Sequence, residues 1–136
     1  MSRFLTALAA SFLLFSCATA YIPPDMSAAE LIQRGQEAMD KNRYKTALRY
    51  YEALRENNKT NIDLVITAEY HIAFIHYKQG KLDQSHAELN AILEYYNSPD
   101  EELLPQHFKR LSQIVLNNIE KRENSKSLFN RKFNRN

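Results

Sequence analysis

Residues 28–54 read AAELIQRGQEAMDKNRYKTALRYYEAL, and residues 68–93 read AEYHIAFIHYKQGKLDQSHAELNAIL. Laid over each other by their turns, the two stretches match at an offset of thirty-eight residues: Asn42-Arg43-Tyr44 falls on Gly80-Lys81-Leu82, Gly35 on Ala73, Ala47 on Ser85 and Tyr51 on Leu89. A period of about 34 residues, lengthened by a few inserted ones, is the mark of stacked helical pairs. A small residue where two helices cross lets their axes approach, and a bulky one a turn away fills the space beside it. The small and bulky residues recur here at matching places. The expected fold is therefore all-α, with antiparallel helix pairs over residues 28–61 and 66–97; a plain antiparallel helical bundle is the alternative.

Composition agrees. Gly35 and Gly80 are the only glycines, which leaves no room for a phosphate-cradling loop. Leu, Ala and Glu, which form helices readily, are among the commonest residues, and β-branched runs are missing. One domain fits the 136 residues. Eighteen Lys and Arg against sixteen Asp and Glu leave a net charge of +2, so no overall field draws the chain onto nucleic acid. His71 and His76 are five apart, roughly 140° around a helix, and no H-E-x-x-H pattern accompanies them. His86 and His107 read as surface or turn residues, and no nucleophile stands in a recognisable setting. No enzyme, cofactor or metal is expected.

Residues 28–54 resemble the tetratricopeptide repeat, which carries a small residue eight positions in, a turn ending in an aromatic, a small residue early in the second helix and an aromatic four later. Residues 68–93 are similar and keep the turn glycine. The resemblance implies a curved solenoid in which the first helix of each pair lines a groove. That groove would be built from Ile32, Gln36, Met39, Tyr70, Phe74, Tyr77 and Lys78, and it would receive a peptide or protein partner, since aromatics with polar tips bury area at low entropic cost. The rival reading is that Tyr70, Phe74 and Tyr77 simply pack the middle of the stack.

The first twenty residues read as an export signal: Arg3 gives the positive start, and the apolar run from Phe4 to Phe15 is too short to span a bilayer. Leu14-Phe15-Ser16-Cys17 resembles the lipobox of bacterial lipoproteins, which would make Cys17 the lipidated first residue. Ala18-Thr19-Ala20 is at the same time an A-x-A cleavage site. Cys17 is the only cysteine, whereas exported chains commonly use cysteines in pairs, and a lone thiol just past an apolar run suits an acyl acceptor. Several acyl chains anchor durably, each buried methylene contributing about 0.8 kcal/mol. Residues 21–27, with Pro23-Pro24, read as a tether.

Ser27 with Glu30 forms a capping box that starts the first helix near Ala28. Thr60 with Asp63 is the expected cap of the third, and Gly80 its stop. Ser98-Pro99 with Glu101 predicts a capping helix over residues 99–122, broken or kinked at Pro105. Its second part, from Gln106, carries Phe108, Leu111, Val115 and Ile119 as one apolar stripe that would cover the last repeat. Residues 123–136 read as a disordered basic tail whose Lys126, Arg131, Lys132 and Arg135 suit anionic headgroups or an acidic partner.

The combination resembles BamD-type lipoproteins, the tetratricopeptide subunit of the outer-membrane β-barrel assembly machinery, over residues 28–97. The resemblance implies an adaptor without a reaction of its own, anchored to the outer membrane on the periplasmic side and bound to subunits of that machinery. A soluble periplasmic scaffold, or a regulator of an envelope enzyme, is the alternative.

Overall fold

The computed structural model describes residues 21–133, which form five α-helices and no strand. They are α1 (Ala28–Asp40), α2 (Tyr44–Asn57), α3 (Ile62–Lys78), α4 (Leu82–Tyr95) and α5 (Gln106–Phe133), with a single 3-10 turn at Glu101–Leu103. Each helix packs on the next, and α5 packs on both α3 and α4.

Local chemistry sets the boundaries. Ser27 Oγ accepts the Glu30 amide at 3.3 Å and opens α1. Asn61, not Thr60, caps α3 by accepting the Leu64 amide at 3.3 Å; asparagine is at least as good a cap as threonine, and it stands one residue nearer the helix. The two interhelical turns then repeat each other. Asn42 has φ 54° and Gly80 has φ 77°, the two left-handed residues of the described chain. Arg43 follows at φ −85°, ψ 60° and Lys81 at φ −80°, ψ 66°. Asparagine is the side chain best suited to replace glycine in that conformation.

The equivalent packing positions match as well. Gly35, Ala47 and Tyr51 are buried in the first pair, and Ala73, Ser85 and Leu89 in the second. A Cβ on Gly35 would meet Tyr51 Cζ at 2.7 Å, so the tyrosine ring lies directly on the glycine backbone. In the second pair the crossing is held by a polar contact, with Ser85 Oγ donating to the Ala73 carbonyl at 2.8 Å. His76, next to this crossing, is buried with Nδ1 at 2.7 Å from Glu88 Oε2.

Helix α3 is apolar nearly all round because it is buried on two sides. Its Ala68, Ile72 and Ile75 join Leu31, Tyr51 and Leu54 in a core shared with α1 and α2. Its Ile66, Tyr70 and Ala73 join Leu89, Ile92, Phe108 and Ile119 in a second core shared with α4 and α5.

The C-terminal region departs from expectation in three ways. Residues 99–105 give only the 3-10 turn instead of a helical first part, while α5 starts directly after Pro105, at the expected break, because the Pro ring disfavours a helical residue before it. Tyr96 Oη donates to the Pro105 carbonyl at 2.9 Å, and Lys109 pairs with Glu101, fixing the corner. Leu111 is 36% exposed, while Ser112 and Leu116 are buried beside Phe108, Val115 and Ile119; the contact face is rotated from the simple apolar stripe by its embedded serine. Finally, α5 runs on to Phe133 instead of ending at Arg122 before a disordered tail. No Gly or Pro interrupts residues 106–133, propagation of a formed helix is cheap relative to its nucleation, and Arg131 and Lys132 in the last turn complement the helix dipole.

Candidate interaction site on the aromatic row

Tyr70, Phe74 and Tyr77 follow one another along one side of α3, as four- and three-residue spacing requires. Their rings stack in sequence, Tyr70 to Phe74 with centroids 6.0 Å apart and Phe74 to Tyr77 also 6.0 Å. Partners from other helices extend the row at both ends. Phe108 of α5 meets Tyr70 at 5.0 Å, His107 lies 4.0 Å from Phe108, and the Arg122 guanidinium sits over the Tyr77 ring at 5.4 Å. Toward α2, His71 is edge-on to Tyr70 at 5.5 Å and stacks on Tyr51 at 4.5 Å with planes 10° apart. Pairs of this geometry contribute about 0.5–1.5 kcal/mol beyond their buried area.

The row has a polar side. Tyr51 Oη and His71 Nδ1 are buried without a hydrogen-bond partner among the described residues. Burial, with Asp40 adding repulsion, pushes the Tyr51 hydroxyl up to about 12. Burial, and then the neighbouring His107, pull His71 down to about 4, so its imidazole is neutral at physiological pH. Burial also raises Tyr70. The Tyr51 and His71 side chains are therefore neutral groups with unused hydrogen-bonding capacity, flanked by the cation of Arg122 at the far end.

The expected groove residues fall into two groups. Tyr70 is buried and belongs to the core as much as to the row, while Phe74 and Tyr77 are half-buried against that core. Lys78 is exposed just beyond them. On α1, Ile32 and Met39 are half-buried against the other core, and exposed Gln36 donates to Asp40 Oδ1 at 3.0 Å. Sequence reading missed Tyr51, His71, Phe108, His107 and Arg122 as members of the row. Only the adjacency of His71 to Tyr70 and the match of Tyr51 to Leu89 hinted at two of them; α5 enters through tertiary packing.

Lys126, Arg131 and Lys132 are exposed on α5, and Arg135 and Cys17 lie outside the described residues. Among the described residues no three His, Cys, Asp or Glu side chains gather as metal ligands, and no helix is long and apolar enough to cross a membrane. On another side of α3, Arg55, Glu69, Ile72, Glu88, Ala91 and Tyr95 line a pocket of about 170 Å³. Burial and then Glu69 raise the Tyr95 hydroxyl there.

No protein-family model and no solved structure matches the chain. It is similar to an uncharacterized protein of Treponema pallidum (strain Nichols), 29% identical over 117 residues, which covers 83% of this chain and 47% of that protein. The chain thus spans about half the length of the relative it matches.

Proposed function

We propose that this chain is a non-enzymatic adaptor: a short tetratricopeptide-like stack of helix pairs, held at the periplasmic side of an envelope membrane by a lipid on Cys17, that takes a peptide segment of a protein partner. The observation that carries the reading is the aromatic row. Phe74 and Tyr77 are half-buried and stack on each other, the Arg122 guanidinium lies over Tyr77, and Tyr70, itself backed by Phe108, stacks on Phe74. Rigid, half-open aromatics are what interaction hot spots are made of. The tetratricopeptide-like reading is supported by the matched left-handed turn residues Asn42 and Gly80 and by the matched crossings at Gly35 and Ala73. The anchor rests on the sequence alone, through the lipobox-like run ending in Cys17. Subunits of the β-barrel assembly machinery are the partner class this reading favours.

Affinity purification from the native envelope in mild detergent, with the first residue of the mature chain identified by mass spectrometry, tests it. Acylated Cys17 together with an assembly subunit is the expected result. An unmodified start at Tyr21 with other partners would replace it with a soluble periplasmic scaffold.

A further inference from the structure

The small net charge of the whole chain conceals a division. From Tyr21 to Pro105 there are nine Lys and Arg against fourteen Asp and Glu, a net of −5, whereas α5 carries seven Lys and Arg against Glu120 and Glu123, a net of +5. An acidic body thus presents one basic helix. That helix is 28 residues long, about 40 Å at 1.5 Å per residue, and beyond Ile119 its described side chains are exposed except for half-buried Ser127.

The outward face of α5 has a definite composition. Leu111, Ile114, Lys121, Leu128, Phe129 and Lys132 recur at three-, four- and seven-residue intervals and so share one side. The four apolar members are 36%, 54%, 64% and 61% exposed. Both carboxylates of the helix, Glu120 and Glu123, fall roughly 130–170° from the centre of this face by helical rotation. Apolar side chains interleaved with lysines, and no acid among them, suit the boundary between headgroups and acyl chains, where the lysine stems stay in apolar surroundings and their ammonium groups reach the phosphates.

We propose that this face of α5 lies on an anionic lipid surface. Charge complementarity selects the occupant. A second copy of α5 would set +5 against +5, so helix-to-helix pairing of two copies is opposed. A peptide ligand needs a pocket for its anchor side chains, and one convex helix face provides none, whereas a lipid interface conforms to a helix face about 40 Å long. The contact does not require acylation of Cys17. It adds a second, electrostatic attachment and would set the orientation of the helical body on the membrane.

The test uses the full chain with Cys17→Ser and a nitroxide on a single new cysteine. One sample carries it at Ser125, on the face, and the other at Asn130, on the opposite side; both positions are exposed. Accessibility to lipid-dissolved oxygen is compared with accessibility to an aqueous nickel chelate, in neutral phosphatidylcholine vesicles and in vesicles with 30% phosphatidylglycerol, a composition chosen to be about one-third anionic. The expected result is that the Ser125 label enters the interface only on anionic vesicles while the Asn130 label stays aqueous. Each of Lys121→Gln and Lys132→Gln should lower partitioning about fivefold, the equivalent of about 1 kcal/mol per cation. Leu128→Ser with Phe129→Ser should make the label aqueous again. A Ser125 label that stays aqueous, or immersion of both labels alike, would overturn the proposal. So would immobilisation of the Ser125 label by polyglutamate without lipid as complete as that on vesicles, which would assign the face to an acidic protein.

Discussion

Gly35 and Tyr51 make one unit. Glycine in a helix interior costs about 1 kcal/mol relative to alanine, and it is kept where the Tyr51 ring occupies the space a Cβ would need. The second helix pair solves the same crossing with Ala73 and Leu89. Gly35→Ala alone should therefore destabilise by about 1–2 kcal/mol, overpacking outweighing the gain in helix propensity. Combined with Tyr51→Leu, it should cost less than the two single changes summed. Urea unfolding of the four variants of this cycle measures the coupling, and strict additivity would show that ring and glycine do not act as a pair.

His71 gives a pH signature at the same scale. The unfolded chain holds its proton up to about pH 6.5 and the folded chain only to about 4. Between those values the unfolded state binds more protons, so stability rises with pH across the window and is lost as pH falls through it. The effect is on the order of 3 kcal/mol between pH 7 and pH 4. His71→Phe should flatten this part of the stability profile, as read by urea unfolding at several pH values. A wild-type profile no steeper than that of the variant would place the His71 ring in water.

At the scale of elements, four helices were legible because their signals are local. Ser27, Gly80 and the small residues at the crossings mark starts, stops and approaches by their own chemistry, and Pro105 marks the boundary of α5. The reach and rotation of α5 were not legible. Its core-facing side keeps Phe108, Val115 and Ile119 of the apolar stripe but includes Ser112 and leaves Leu111 and Ile114 outward, so apolar periodicity alone gives the face but not its exact rotation; packing against α3 and α4 decides. Ile119→Ala should cost about 2–5 kcal/mol and Leu111→Ala less than about 1 kcal/mol. Equal losses in denaturant midpoint would contradict the rotation described here. The three aromatic positions on α3 were likewise visible from spacing, but their support by Phe108 and Arg122 depends on residues more than thirty positions away in sequence, beyond any local pattern.

Across the whole molecule, averaging hid what position reveals. A near-neutral chain excludes an overall electrostatic field, yet an acidic body and a basic terminal helix coexist within it. The same distinction between bulk and place applies to the aromatic residues, which serve the core at Tyr70 and remain half-open at Phe74 and Tyr77. Tyr77→Ala should weaken partner binding at least tenfold while lowering stability by about 1–3 kcal/mol, because the ring is only half-buried and its cation–π contact is exposed at one end. Lost stability with intact binding in a pull-down would reduce the row to packing.

The adaptor reading is tested most directly by photo-crosslinking in the native envelope, with p-benzoylphenylalanine placed at Phe74 on the row and, as a control, at exposed His86 on α4. The account predicts a discrete protein adduct from Phe74 and none from His86. An absence of adducts at Phe74, or the same adducts from both positions, would contradict it.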